Sequence, residues 1–353
     1  MAVSMLKKTL PFHRTVDLTS SRNGAKIIFS TGDHYGVADN MLKREEITSN
    51  LSVDGWQLNA ETRKNNYVII KLATSAIIKY ICIDTTHIKQ HNLYCPFSLQ
   101  AGHLESFFSQ DRKCRIGKSA SLEDLKYFES FDTKSWPFYL KKTQLPSPEM
   151  SKQYYNIESN NDIVTHVKLT LCPMGGIARL YIYGFAVYPP LITLSPQFNL
   201  VSLLYGAHCV NSTHCFSGDP NLLLLPTPPL HKNDGWMPLD PKEEVKEFMF
   251  QRPAVDFRLA YPVKNLSYVI IDTTNIDEIC SDFTIQVYGR SSTQYRTFYP
   301  LVPKTQVVKN SRQIIPVTEN KDWRTLFVEL IVSPGGAINR FAIFGESELP
   351  DEF

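Results

Sequence analysis

The sequence predicts an all-β chain built as two tandem antiparallel sandwiches. Three observations carry that expectation: many short β-branched and aromatic segments, few amphipathic stretches of helical period, and an ordered set of blocks that occurs twice. The segments Tyr67-Val68-Ile69-Ile70, Lys79-Tyr80-Ile81-Cys82-Ile83, Val167-Lys168-Leu169-Thr170-Leu171 and Phe327-Val328-Glu329-Leu330-Ile331-Val332 are strand-length. Several alternate apolar with polar, the period of a half-buried strand. Gly, Pro, Asn and Asp punctuate them. The best helix covers residues 120–128, ASLEDLKYF, with Ser121 as N-cap and Leu122, Leu125 and Phe128 on one face. Residues 242–250 are a weaker second helix. Short strands with little helix pack as sandwiches.

The repeated blocks set the domain organisation. Asp54-Gly55-Trp56 recurs as Asp234-Gly235-Trp236, and Ile83-Asp84-Thr85-Thr86-His87-Ile88 recurs as Ile271-Asp272-Thr273-Thr274-Asn275-Ile276. HVKLTLCPMGGIARLYIYG at 166–184 recurs as FVELIVSPGGAINRFAIFG at 327–345. In both copies a proline, Pro173 or Pro334, lies six residues before an arginine, Arg179 or Arg340, which lies five before a glycine. The period is too long for a solenoid, and 353 residues are many for one core. The expected organisation is repeat one at 12–187, a Pro-rich linker at 188–197, repeat two at 198–348 and a tail at 349–353.

Composition excludes several classes. A hydrophobic content of 43% with 20% charge suits a folded chain rather than a disordered one. A net charge of +2 offers no dense basic patch, so neither nucleic acid nor a membrane surface is an expected partner. No stretch reaches the roughly 20 apolar residues of a membrane span, and MAVSMLKKTLPFHR lacks the apolar core of a secretory signal. Seven scattered cysteines without a CxxC pair read as reduced thiols. A cytoplasmic location is expected, with the nucleus left open. The sequons at Asn50, Asn211 and Asn265 are then expected to stay bare.

Each repeated block has a bracing reading and a ligand reading. Arg179 and Arg340 either clamp a turn carbonyl or face a ligand. Asp84 and its threonines either hydrogen-bond the next turn or line a rim pocket. Bracing is preferred in both cases, because turns recruit these residues routinely. Asp54, Trp56, Asp234 and Trp236 are candidate ligand contacts, set against tryptophans that cap a sandwich edge. The glycines after Pro173 are read as supplying positive φ to a reversal. His208-Cys209 and His214-Cys215 match no zinc spacing, and neither metal nor cofactor is expected. His34, His87 and His91 form a cluster only if their turns converge. There is no phosphate-binding Gly-rich loop and no nucleophile elbow.

Taken together, the blocks resemble the allantoicase family. The duplicated D-G-W, the strand ending in D-T and the P-x-G-G-x-A-R-L pattern carry the resemblance. AKIIFSTGDHYGVADNMLKRE at 25–45 and Arg115-Ile116-Gly117-Lys118-Ser119-Ala120-Ser121 extend it over roughly residues 12–348. The resemblance implies two jelly-roll sandwiches of the galactose-binding, discoidin-like kind. It also implies self-association and hydrolysis of allantoate to ureidoglycolate and urea. A carboxylate substrate suits a guanidinium fork, and expelling urea requires a positioned proton donor.

The sequence departs from the family where that chemistry belongs. The family segment reads D-G-W-E-T-R-R. Here Trp56 is followed by Gln57-Leu58-Asn59, and Trp236 by Met237-Pro238-Leu239-Asp240. Glu61-Thr62-Arg63 comes four residues later, too close to the strand at Lys71-Leu72 to slide back. After Asp84-Thr85-Thr86-His87 the family's aromatic-T-G turn is replaced by Ile88-Lys89-Gln90-His91. The expectation is a catalytically degenerate member serving as a protein-binding or assembly module. Leu58 and Met237 would be its exposed apolar contacts, and other proteins or a second copy its partner. One alternative is an active allantoicase acting on allantoate through Glu61, Arg63, His87, Arg179 and Arg340. Another is a small-ligand or carbohydrate-binding sandwich using Trp56 and Trp236.

Overall fold

A computed structural model of the chain describes residues 15–47, 54–59, 66–88, 96–104, 107–146, 151–158, 160–171, 175–187, 197–213, 215–229, 234–238, 252–261, 263–288, 298–317, 327–333 and 336–347. Contacts divide the chain between Val187 and Tyr188 into two units. The proposed linker up to Pro196 and the helix candidate at 242–250 lie outside the described residues.

In the first unit the strands are β1 (Val16–Asp17), β2 (Lys26–Ser30), β3 (Gly32–Asp33), β4 (Trp56–Gln57), β5 (Asn66–Asp84), β6 (Pro96–Gly102), β7 (Lys118–Ser119), β8 (Phe138–Gln144), β9 (Lys152–Asn156), β10 (Val164–Leu171), β11 (Gly176–Ile177) and β12 (Arg179–Ala186). Every named pair is antiparallel. The segments expected as separate strands around Val68 and Ile81 are one strand, β5. Its first part pairs with β2 and β10, and its second part with β9 and β12. Between them Ala73, Thr74 and Ser75 are all half-buried, so the strict alternation of a one-layer strand lapses there. Small side chains at that point let one strand serve both layers. β1 pairs with β12, so the first and last strands of the unit are neighbours.

The single α-helix among the described residues, α1 (Leu122–Glu129), sits where the sequence places it. Ser121 Oγ accepts the Asp124 N–H at 3.0 Å, satisfying one of the first-turn donors. Leu125 and Phe128 pack on Ile28, Phe29 and Ile69, with the Phe29 and Phe128 rings stacked at 4.3 Å. Leu122, expected on the same face, is 74% exposed. A helix of two turns rests on the sheet through Leu125 and Phe128 without it.

The second unit repeats the plan in β13 (Phe198–Asn199), β14 (His208–Ser212), β15 (Ala254–Arg258), β16 (Val263–Asp272), β17 (Asp282–Tyr288), β18 (Phe298–Gln306), β19 (Arg312–Pro316), β20 (Phe327–Val332) and β21 (Arg340–Ser347). Here the part played by β5 is divided between β15 and β16, and the layers are separate sheets of five and four strands. β13 closes against β21 as β1 does against β12. Phe257 and Phe341 stack at 5.6 Å in the core. Both units are jelly-roll sandwiches with apolar side chains of two layers interleaved between them.

Candidate functional site

The repeated blocks converge on one construction in each unit. In the first, Arg179 is fully buried at the start of β12. Its Nη1 donates to the Asp54 carbonyl at 2.9 Å, to Asp54 Oδ1 at 3.1 Å and to the Ala178 carbonyl at 3.0 Å. Its Nη2 donates to Asp54 Oδ2 at 2.8 Å and to the Glu45 carbonyl at 3.3 Å. In the second, Arg340 binds the Asp234 carbonyl and Asp234 Oδ2, with carbonyls of Asn339, Thr227 and Pro228 completing the set. The glycine of D-G-W lets these segments touch. A Cβ on Gly55 would sit 2.7 Å from the Ala178 Cα, and one on Gly235 would sit 2.5 Å from the Asn339 Cα. The arginine, aspartate and glycine thus fasten the loop before β4 to the start of β12. These side chains brace the sandwich, and their charges are spent on each other.

Trp56 and Trp236 are fully buried. Trp56 Nε1 donates to the Gly32 carbonyl at 2.9 Å. The expectation that these rings meet a ligand, or cap an exposed edge, is corrected: both belong to the core. The carbohydrate reading loses the only residues that supported it. Leu58 is only 2% exposed and Met237 is half-buried, so Leu58 is not a surface contact either. Its side chain follows Trp56 inward because β4 lies between Gly36 and β11 rather than at a free edge. Gly176 does not need positive φ; a Cβ there would lie 2.7 Å from the Ile88 side chain.

The Asp-Thr-Thr block is a turn device in both units. Asp84 Oδ1 accepts the Thr86 N–H at 2.9 Å, and Asp272 Oδ1 accepts the Thr274 N–H at 2.8 Å. His87 is exposed at the left-handed position of this turn, φ 59°, and Asn275 occupies the same position at φ 64°. Asn is among the residues that tolerate this conformation best. Glu61, Arg63 and His91 lie outside the described residues.

One charged cluster went unread in the sequence. Asp33 is fully buried, and Arg112 grips its carboxylate bidentately, Nη1 to Oδ2 and Nη2 to Oδ1, both at 2.9 Å. Arg112 also reaches Asp39 Oδ2 at 2.6 Å and Gln110 Oε1 at 2.9 Å. Burial is the largest influence on Arg112 and opposes its charge, but the hydrogen bonds and charges of Asp33 and Asp39 outweigh it and raise its pKa. Arg115 Nε donates to Asp33 Oδ2 at 3.2 Å, while its Nη2 is buried without a partner among the described residues. His34 Nε2 lies 3.1 Å from Ser119 Oγ, and the Asn59 N–H approaches His34 Nδ1 at 3.5 Å. Burial pulls the His34 pKa down against the charge of Asp33, which keeps the imidazole neutral at neutral pH. The cluster depends on residues 103–137 between β6 and β8; only residues 289–297 connect the matching strands β17 and β18. The available signal was the run of charges in Gln110 to Lys118, which has no counterpart in the second repeat.

The described members of the His-Cys pairs are locally satisfied. Cys209 Sγ donates to the Asn211 carbonyl, and burial pushes its thiol up to about 12. Cys215 Sγ donates to the Gly218 carbonyl at 2.9 Å, and His208 Nδ1 lies 3.1 Å from the Gly206 carbonyl. His214 lies outside the described residues. Among those described, no group of three or more His, Cys, Asp or Glu side chains could hold a metal ion. No helix among them is long and apolar enough to cross a membrane.

Two tandem jelly-roll sandwiches, each fastened by the same Asp–Arg clamp, define the class of protein. The comparisons agree on which. The Allantoicase repeat model matches residues 16–187. A probable allantoicase of Photobacterium profundum is 22% identical over 358 residues, covering 96% of this chain and 99% of that protein. A probable allantoicase of Pseudomonas aeruginosa is 24% identical, covering 98% of this chain and 100% of that protein. The crystal structure of Saccharomyces cerevisiae allantoicase superimposes with a TM-score of 0.67 at 20% identity, over 95% of this chain and 94% of that one. Residues 16–187, the first unit, belong to the allantoicase repeat family, and the chain is similar to allantoicases along nearly its whole length.

Proposed function

We propose that this chain keeps the scaffold of its purine-degrading family without the hydrolysis, as a pseudoenzyme that assembles with other proteins or with itself. The observation behind this reading is what surrounds the tryptophans. Gln57 and Leu58 are buried and uncharged where the family resemblance calls for a charged segment, and Met237-Pro238 follows Trp236. Arg179 and Arg340, the candidates for gripping a carboxylate, are already committed to Asp54 and Asp234. Loss of a general acid or base alone lowers rates by about 10²–10⁴. The five described cysteines are all free, which supports a reducing, cytosolic setting.

A second reading has one observation in its favour. Arg115 Nη2, buried and unpartnered among the described residues, and the neutral His34 imidazole both border the Asp33 cluster. They offer a carboxylate donor and a proton carrier at a different place from the repeated blocks. The deciding experiment is urea release from allantoate by the folded full-length protein, with and without divalent metal ions, beside a bacterial family member. No release supports the first reading, with light scattering and co-purification then testing assembly. Release above the uncatalysed rate overturns it. If His34→Ala and Arg115→Ala then each lower that rate about 100-fold or more, the second reading holds.

A further inference from the structure

The two units differ sharply at one place where their frameworks coincide. In the first unit Arg44 lays its guanidinium over the Tyr181 ring, 4.4 Å from the centroid. It donates to both oxygens of Asp17, at 2.5 and 2.8 Å, and to Thr19 Oγ1 and the Leu180 carbonyl, both at 3.1 Å. Arginine, ring and carboxylate together fill the space beside β1 and β12.

The register identifies each counterpart in the second unit. The short 3-10 turns Ala38–Leu42 and Pro220–Leu224 are counterparts, and Pro226 follows the second at the distance at which Arg44 follows the first. Asp17 opposite Tyr183 becomes Asn199 opposite Phe344. Tyr181, two residues beyond the clamp arginine, becomes Ala342, and Thr19 becomes Val201. The charge, the ring, the counter-charge and the hydroxyl have all gone. In their place is a groove of about 270 Å³ whose lining includes Tyr205, Pro226, Ala342 and Phe344.

Charge decides what would fit. With Asn199 in place of Asp17, a cation set where the Arg44 guanidinium lies would lose the carboxylate that grips Arg44. Arg340 lines the groove but is spent on Asp234. Asp272 lines it too, buried, with one oxygen accepting the Thr274 N–H. Arg312, opposite Asp272 on β19, is exposed and lines the same groove. Lys152, its counterpart, lies 3.4 Å from Asp84, whereas the Arg312 guanidinium makes no hydrogen bond or ion pair among the described residues. Part of the wall is apolar, from Leu204, Pro226, Ala342 and Phe344, and Phe344 stacks on Tyr268 at 4.8 Å.

We infer that this groove binds a small planar carboxylate of the aromatic or heteroaromatic class. Its ring takes the space vacated by the Tyr181 ring and the Arg44 guanidinium, and its carboxylate meets the planar fork of Arg312. The volume suits a molecule of roughly nine to fifteen non-hydrogen atoms. This site stands whether or not the first unit hydrolyses a ureide.

The test is ligand-observed NMR and calorimetry on the full chain, with 4-hydroxybenzoate and nicotinate as probes. Cyclohexanecarboxylate controls for planarity and benzamide for charge. Both aromatic carboxylates should bind at millimolar concentration or below, and the two controls about tenfold more weakly. Arg312→Gln, an exposed change that leaves the core untouched, should weaken binding about tenfold. Ala342→Tyr, which restores the missing ring, should abolish it. No binding by the parent protein overturns the inference. So does equal binding of the controls, or an Arg312→Gln protein that binds as well as the parent.

Discussion

Replacing Arg179 with methionine should destabilise the first unit by about 3–5 kcal/mol, because it takes a fully buried guanidinium away from the half-buried Asp54 carboxylate and from three carbonyls. Methionine keeps much of the length of the arginine stem, so the loss is chiefly of bonds rather than of volume. Those bonds are specific: both Asp54 oxygens and the carbonyls of Asp54, Ala178 and Glu45 lose their donor together. For a unit spanning Thr15–Val187, each kcal/mol moves the midpoint by about 2–4 °C, which gives a fall of roughly 6–20 °C. Urea unfolding and a thermal melt would both read it. Arg340→Met is the matched experiment in the second unit, where Arg340 serves Asp234 in the same way. A cycle with Asp54→Ala should show strong coupling, the double variant costing far less than the sum of the singles. A loss below about 1 kcal/mol for Arg179→Met, or additive singles, would refute the bracing role.

Three further outcomes follow from other features. Gly55→Ala should destabilise the first unit by about 1–3 kcal/mol, since its methyl would press on the Ala178 backbone at 2.7 Å; a thermal melt unchanged from the parent would refute this. Burial, followed by the charges of Lys71 and His103, lowers the His166 pKa from 6.5 to about 4, so between those values the unfolded chain binds more protons than the folded one. Stability is therefore full above pH 6.5 and falls as pH drops towards about 4, by on the order of 2–3 kcal/mol, and His166→Gln should flatten that slope in urea titrations. Cys82 and Cys280 are buried with thiols pushed up to about 12, whereas Cys114 is exposed. Alkylation of the native protein at pH 8, mapped by mass spectrometry, should mark Cys114 and spare the other two until denaturant is added.

Much of the fold was legible because strand period and repetition are local signals. The alternation in Phe327–Val332 shows which face turns inward, whereas in Val164–Leu171 the polar His166 and Lys168 are buried as well; the two copies of D-G-W and of the Pro-to-Arg spacing show that one plan is used twice. The capped helix at Ser121 was legible for the same reason. What the sequence could not show is pairing at a distance. Arg179 meets Asp54 across 125 residues, and Arg112 meets Asp33 across 79, and nothing in either neighbourhood names the partner. The two tryptophans misled because a ring beside a tight turn suggests exposure, whereas the chain here turns at Gly55 and sends Trp56 into the core. Leu58 was misplaced with it. The groove beside Ala342 was invisible because its cause is subtraction: it appears only when Arg44 and Tyr181 are set against Pro226 and Ala342 in register.

The pairing of β1 with β12 and the grip of Arg179 on Asp54 also constrain the order of events during synthesis. Both join the early part of the first unit to its last strand, so neither can form until residues 179–187 have left the ribosome. A nascent chain halted before that point would hold an unmatched β5 edge and an Asp54 that has not yet met Arg179. Sandwiches with such distant pairings fold slowly, because loop closure must precede the contacts that reward it. The second unit carries the same arrangement at Arg340 and β21, near its own end. Each half of the chain is therefore most vulnerable to aggregation and proteolysis just before its final strand is made, and the chain passes through that exposure twice.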